Sequence, residues 1–305
     1  MRAVVTGGAG FIGSHLTDSL IKSGNEVIII DNLSTGKKEN IAHDAEFVVK
    51  DILKESIVNE LREADVVFHM AADPNVRISA KNPNSSFEQN VVATFRLLEA
   101  VRKADVVRFV FASTSTVYGD ATVIPTPEDY PCTPISNYGA SKLACEAYCA
   151  GYAHSYGIKT TVLRYANIYG ERSRHGVMYD FYHKLRENPK ELEILGDGNQ
   201  DKSYLHVDDC ISATLVAFEK QEKSYDVFNV GSNEKHKVNE IAKLVCDSMK
   251  LKPTFRYTGG ERGWTGDVKL MLLDIKKIKA LGWKEKVSLE EGIKRYIGWL
   301  AKTSG

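Results

Sequence analysis

Residues 2–31 read RAVVTGGAGFIGSHLTDSLIKSGNEVIIID, and this stretch decides the fold. Residues 2–5 form an apolar strand, 6–13 a glycine loop, and 14–23 the spacing of a helix. A glycine loop between a strand and a helix is the setting of a dinucleotide site. Gly7 permits the tight turn, Gly10 lets backbone approach a pyrophosphate, and Gly13 lets the helix pack close to the strand. The helix N-terminus presents free N–H groups and partial positive charge to the phosphates. A second strand, 26–30, ends in Asp31, 18 residues after Gly13. A carboxylate there binds both ribose hydroxyls and repels a 2′-phosphate, so the expected cofactor is NAD rather than NADP.

Working outward, strand-like and helix-like stretches alternate through the first half, the pattern of a parallel sheet with helices on both faces. Expected strands are 2–5, 26–30, 46–49, 65–69, 107–112 and 160–164, with one more at 226–230 returning to the sheet. Expected helices cover 14–23, 54–62, 86–103, 137–156, 177–188, 238–249 and 288–301. The reading is an α/β Rossmann-type doubly wound parallel sheet over residues 1–167, with a smaller α/β substrate domain, 168–305, interleaved with it. Residues 119–136 carry four prolines and read as an active-site loop.

Composition narrows the function classes. Forty basic and forty acidic side chains cancel, so no basic stripe suggests nucleic acid and no charged tail suggests a membrane partner. Five cysteines with no C-x-x-C pair argue against a disulfide frame or a zinc site, and point to buried thiols in a reducing cytosol. His206, in His206-Val207-Asp208-Asp209, lacks a second histidine at ligand spacing, so it reads as a helix-start residue and no metal is expected. The first strand begins at residue 2 and no apolar run reaches spanning length, so the expected location is cytoplasmic.

The strand at 107–112 runs into Ser113-Thr114-Ser115-Thr116. Ligands of an open parallel sheet sit outside the carboxyl ends of its strands, which puts these hydroxyls beside the cofactor. Tyr138 and Lys142 follow at the start of the helix 137–156, one turn apart and so on one face. A Tyr-x-x-x-Lys pair arises about once by chance in a chain of this composition; its position after the hydroxyls gives it weight. Oxidising a carbinol requires removal of its hydroxyl proton. A tyrosine does this only if its ordinary pKa of about 10 is lowered by a nearby cation. The expected cations are the Lys142 ammonium and the nicotinamide ring. Thr114 is expected to hydrogen-bond the same substrate oxygen.

With these residues in place, the chain resembles the extended short-chain dehydrogenase/reductase family, and within it the NAD-dependent nucleotide-sugar epimerases. The resemblance rests on TGGAGFIG (6–13), DNLSTG (31–36), DI (51–52), HMAADPNVRIS (69–79), Asn90, STSTVYG (113–119), YGASK (138–142), LRYANIYG (163–170), GDGNQ (196–200), HVDD (206–209) and RGWTGD (262–267). It implies that Phe11, Ile12, Asp31, Asn32, Leu33, Ser34, Thr35, Gly36, Asp51 and Ile52 hold the adenosine half of NAD. It places Met70, Ala71, Ala72, Asp73, Asn90 and Ala166 along the cofactor and Lys142 on the nicotinamide ribose. Thr114 and Tyr138 match the catalytic hydroxyl and base. Asn167, Gly176, Val177, Glu193 and Leu195 match positions that hold the substrate nucleotide, with Arg262 and Asp267 as late phosphate and ribose contacts.

Two departures from the family pattern matter. Lys202 stands where relatives carry a phosphate-facing arginine, which keeps the charge but loses the bidentate fork. Ser115 and Thr116 stand where dehydratases and decarboxylases of the family carry acids after the catalytic threonine. The implied reaction is therefore 4-epimerisation of a UDP-hexose, UDP-glucose or UDP-galactose, through a 4-keto intermediate. Epimerases of UDP-N-acetylglucosamine or UDP-glucuronate are the alternatives. Next come a net dehydratase or reductase, and last a non-catalytic NAD-binding regulator. Met271 aligns with a residue that walls the sugar pocket near C2. The resemblance also implies a homodimer formed through the helices at 86–103 and 137–156, with Val91, Val92, Phe95, Leu97, Leu98, Leu143, Tyr148 and Tyr152 as apolar candidates.

Overall fold

The computed structural model describes residues 1–260, 268 and 270–303. Its first elements are β1 (Arg2–Thr6), α1 (Phe11–Lys22), β2 (Glu26–Asp31), β3 (Glu46–Val49), α2 (Val58–Leu61) and β4 (Val66–His69). Next come α3 (Val76–Lys81) and α4 (Pro83–Ser86), a π-helical segment Phe87–Val92, α5 (Ala93–Lys103) and β5 (Arg108–Thr114). The middle of the chain holds α6 (Asn137–Tyr156), β6 (Lys159–Tyr165), β7 (Asn167–Tyr169), α7 (Val177–Glu187) and β8 (Glu191–Ile194). It continues with β9 (Asp201–Lys202), β10 (Tyr204–His206), α8 (Val207–Lys220) and β11 (Tyr225–Val230). The last elements are β12 (His236–Lys237), α9 (Val238–Met249), β13 (Thr254–Tyr257), β14 (Leu270–Met271), α10 (Lys276–Ala280) and α11 (Leu289–Thr303).

Seven parallel strands form the central sheet in the order β11-β6-β5-β4-β1-β2-β3. The order reverses at β1, and such a switch point opens a crevice at the strand ends. Alternation along the strands sends side chains to both faces. Ala3 and Val5 of β1 pack with Leu16 and Leu20 of α1 and Ala213 and Ala217 of α8. Val4, between them, packs with Leu61 of α2 and Leu97 and Leu98 of α5. A third cluster joins Phe181 and Leu185 of α7, Leu192 of β8, Ile241 and Val245 of α9, and Ile293 and Leu300 of α11. No helix among the described residues is long and apolar enough to cross a membrane.

Several expected elements change. The helix expected over 54–62 shrinks to the single turn of α2, because Asp51 organises the chain before it. The Asp51 carboxylate accepts from Leu53 N–H, and its carbonyl from Lys54 and Glu55 N–H, a local bonding pattern that competes with a helix. The helix expected over 86–103 is divided by the π segment, which carries Asn90. Sequence reading assigns only a helix start at His206, whereas α8 runs a full 14 residues. The strands β7 to β10 and β12 to β14 are two to four residues long and pair in three small sheets.

Candidate active site

The glycine loop fits a dinucleotide on three observations. Gly10 caps α1 with no side-chain hydrogen bond, so the first-turn N–H groups face the crevice without a side chain over them. Gly7 has φ +72, and a Cβ there would stand 2.6 Å from Ala71 N. The Asp31 carboxylate, at the end of β2, accepts from Ala9 N–H at 3.0 Å and Leu33 N–H at 2.8 Å. A side chain at Gly36 would meet those oxygens at 2.9 and 3.0 Å, so glycine there leaves the carboxylate open. Burial raises the Asp31 pKa, and the two amide bonds oppose the rise.

The neighbouring turns are set by local bonds. Asn32 accepts from Ser34 N–H at 3.0 Å, and Leu33 takes a left-handed φ of 57°. Thr35 lies between them and Gly36. Ile52 packs beside the β1–β2 core, just after Asp51. Met70 N–H donates to Thr6 O at 3.0 Å, which brings Met70, Ala71 and Ala72 alongside the glycine loop. Asn90 accepts from Asp73 N–H at 2.8 Å and donates to Ser141 at 2.9 Å. Ala166 N–H bonds Val230 O at 2.8 Å.

The candidate catalytic residues stand where β5 ends and α6 begins. Ser136 caps α6 by accepting from Gly139 N–H at 3.1 Å. Tyr138 and Lys142 are buried on one face of it. Thr114 stands beside Tyr138, close enough to act on its phenol, and accepts from Thr116 N–H at 3.2 Å. Burial pushes the Tyr138 phenol well above its ordinary value; the neighbouring Thr114 pulls it back, while Asp73 and Cys145 push it further up. This differs from the expected arrangement, in which Lys142 lowers the phenol. The Lys142 ammonium donates to Ala112 O at 2.8 Å and lies 4.7 Å over the Phe111 ring. Burial lowers the Lys142 pKa in turn. Thr114, rather than Lys142, supplies the lowering contact.

A cleft beside Thr116 is lined by Val76, Asn167, Lys202, Leu270 and Met271. Asn167 donates to Ser203 O at 2.8 Å. Lys202 pairs in register with Met271 through β9 and β14, so the departure from arginine and the suggested sugar-wall residue meet at one place. Gly176 and Val177 stand at the N-terminus of α7, outside this lining. Glu193 and Leu195 also stand outside it. The Glu193 carboxylate is engaged by Lys184 at 3.2 Å and Arg256 at 2.5 Å, and Leu195 O accepts from Gln200 at 3.4 Å. Arg262 and Asp267 lie outside the described residues.

A model of the NAD dependent epimerase/dehydratase family matches residues 3–231. The chain belongs to that family. The match spans the glycine loop, Thr114, Tyr138 and Lys142. NAD is the cofactor of this family, in agreement with the fit of the loop and Asp31. A curated relative from Methanocaldococcus jannaschii, "Putative UDP-glucose 4-epimerase", is 40% identical over 304 residues, covering 97% of each chain. A crystal structure of a UDP-galactose 4-epimerase is 47% identical, covers 99% of both chains and superposes with a TM-score of 0.91. The Thermus thermophilus UDP-glucose 4-epimerase, solved with NAD, is 35% identical with a TM-score of 0.90, covering 99% of this chain and all of its own.

Four residues around Tyr138 and Lys142 make contacts that the sequence does not announce. Ser141 donates to Tyr138 O at 2.8 Å. Ser113 donates to Glu146, and Arg164 clasps the same carboxylate. Spacing alone places Glu146 one turn beyond Lys142 on the face that carries Tyr138, but not its partners on β5 and β6.

Proposed function

We propose that this chain is a nucleotide-sugar 4-epimerase whose substrate pair is UDP-glucose and UDP-galactose. The observation that carries the reading is that Tyr138 and Thr114 are both buried, while Ser115 and Thr116, next along the chain from Thr114, line the cleft with Asn167 and Lys202. Tyr138 takes the proton of the sugar O4 and later returns it. Thr114 holds that oxygen and the phenol in line. NAD, when bound, supplies a hydride acceptor that gives the hydride back, so it leaves the cycle unchanged. Lys202, Asn167, Arg262 and Asp267 anchor the nucleotide. Gly176, Val177, Glu193 and Leu195 complete its site, partly through backbone groups. The anchor leaves the hexose free to turn between the two proton transfers.

The acids needed for elimination or decarboxylation are missing from the turn after Thr114, where Ser115 and Thr116 stand. Glu128, further along the same loop, is engaged by Asn229 N–H at 2.9 Å. Incubation with UDP-galactose, UDP-N-acetylglucosamine and UDP-glucuronate, without added NAD, tests the reading. It expects the C4 epimer of UDP-galactose and no net reduced cofactor. A 6-deoxy-4-keto product or accumulating NADH overturns it.

The chain is also proposed to form a homodimer through α5 and α6. Leu97 and Leu98 face the chain's own core, which leaves Phe95, Tyr148 and Tyr156 as the exposed apolar surface, at 41%, 44% and 54%. Tyr148 and Tyr156 border a groove with Gly151 on α6. Light scattering that returned a monomer mass at micromolar concentration would remove this assembly.

A further inference from the structure

Glu146 and Arg164 form an ion pair whose side chains are 4% and 7% exposed. Arg164 Nε donates to Glu146 Oε1 at 3.0 Å and Nη2 to Oε2 at 2.6 Å. Taking two charges out of water costs several kcal/mol per ion, so such a pair is a weak source of net stability. What a bidentate pair does supply is fixed geometry. Here the geometry is that of α6 on β5. Ser113 is the residue before Thr114, and its hydroxyl donates to Glu146. Ser113 also lies in register with Arg164 across the β5–β6 pair. One turn earlier in α6, Lys142 bonds the carbonyl of Ala112. Two successive turns of the helix are thus pinned to two successive residues of the strand, and the next residue along is Thr114.

The same guanidinium reaches beyond α6. Its Nη1 donates to Tyr118 Oη at 2.8 Å, and that hydroxyl donates to Asn229 at 2.7 Å. Asn229 donates to Thr126 O at 2.9 Å and Asp274 O at 3.1 Å. Glu146 itself lies outside the residues that line the cleft.

We propose that Glu146 is a positioning residue: through Ser113 and Arg164 it sets the register of α6 on β5 and so holds Tyr138 beside Thr114. The kinetic part of this inference rests on the epimerase reading; the geometric part does not. The test uses the NAD-loaded enzyme with Ser113→Ala and Glu146→Gln, alone and together. Ser113→Ala removes one donor and leaves the ion pair intact. A misplacement on the scale of an ångström costs about a hundredfold in rate. Accordingly kcat on UDP-galactose falls about tenfold in Ser113→Ala and about a hundredfold in Glu146→Gln, with KM within about twofold. The double variant is no slower than Glu146→Gln, because both act through one carboxylate. Crystal structures of the parent and Ser113→Ala supply a readout that needs no substrate: the separation of the Tyr138 and Thr114 hydroxyls lengthens in the variant. The proposal is overturned if that separation keeps its parental value in Ser113→Ala, or if kcat there stays within about twofold of the parent. If Glu146→Gln does not fold, Ser113→Ala decides alone. If the parent epimerises no nucleotide sugar, the function is wrong, and the crystallographic comparison still decides the role of Glu146.

Discussion

Thr114 stands beside Tyr138 and works against the effect of burial on the phenol. Burial favours the neutral form, and a base must be charged to act. The placement of Thr114 therefore belongs to the chemistry as much as to the packing. Tyr138→Phe removes the base, and kcat is expected to fall by a factor of about 10³, while bound NAD stays at the parental amount. Thr114→Val removes the lowering contact. Its expected signature is a rate profile displaced to higher pH, because the phenol then ionises later. A profile that keeps its position in Thr114→Val would separate Thr114 from the base.

Gly13 tests the cofactor loop. A Cβ there would lie 2.2 Å from Gly7 O and 2.8 Å from Gly7 C, both backbone atoms that cannot swing aside. Gly13→Ala is expected to force the loop open and cost about 1–3 kcal/mol of stability. Protein purified in this form should carry only a small fraction of the parental NAD, measured after acid precipitation. Full occupancy would show that the loop does not approach the pyrophosphate closely.

His69 makes stability depend on pH. It is buried between Thr6 at 2.7 Å and Thr94 at 2.9 Å, and burial, with Lys142 adding to it, lowers its pKa from 6.5 to about 3. Between those values the unfolded chain binds a proton that the folded chain does not. Stability is then full above pH 6.5 and falls as the pH drops toward 3, by about 1.4 kcal/mol per pH unit. His69→Gln should start less stable, having lost its threonine bonds, and should lose this part of the slope. Urea midpoints across the acid range measure both effects; an unchanged slope would place the acid sensitivity elsewhere.

Met271 borders the cleft beside Lys202 and Asn167. It is half-buried rather than sealed in the core. Its unbranched chain can yield to a bulky group at C2 of the sugar. The expected parent turns over UDP-N-acetylglucosamine as well as UDP-glucose. Met271→Tyr should reduce the kcat/KM ratio for the N-acetyl sugar by about 10–200-fold, the usual range for a pocket-wall change. An unchanged ratio would show that Met271 is not the gate.

The sheet was legible because its signal is local. Strands such as Val66–His69 are buried along their whole length, and the loop, Asp31 and Tyr138 all sit at fixed offsets along the chain. The small pairings of β7 to β10 were not legible, since two- to four-residue strands carry too little periodicity to register. The π segment at Asn90 likewise has no pattern of its own. In α8, by contrast, Val207, Cys210, Ile211, Thr214, Ala217 and Phe218 are buried at helical spacing, so the signal was present in the sequence. The Ser113–Glu146–Arg164 contacts depend on three elements meeting, which no local pattern encodes. The same holds for Lys142, whose spacing puts it beside Tyr138 but whose ammonium goes to Ala112 O.

The central claim, reversible inversion at C4 by a resident cofactor, is tested most directly by approaching equilibrium from both sides. The purified protein, with its bound NAD quantified and none added, is incubated separately with UDP-glucose and with UDP-galactose. Both reactions should converge on one ratio of the two sugars, with no net NADH, and Tyr138→Phe should leave each substrate unchanged. Protein that holds NAD yet interconverts neither sugar would contradict it.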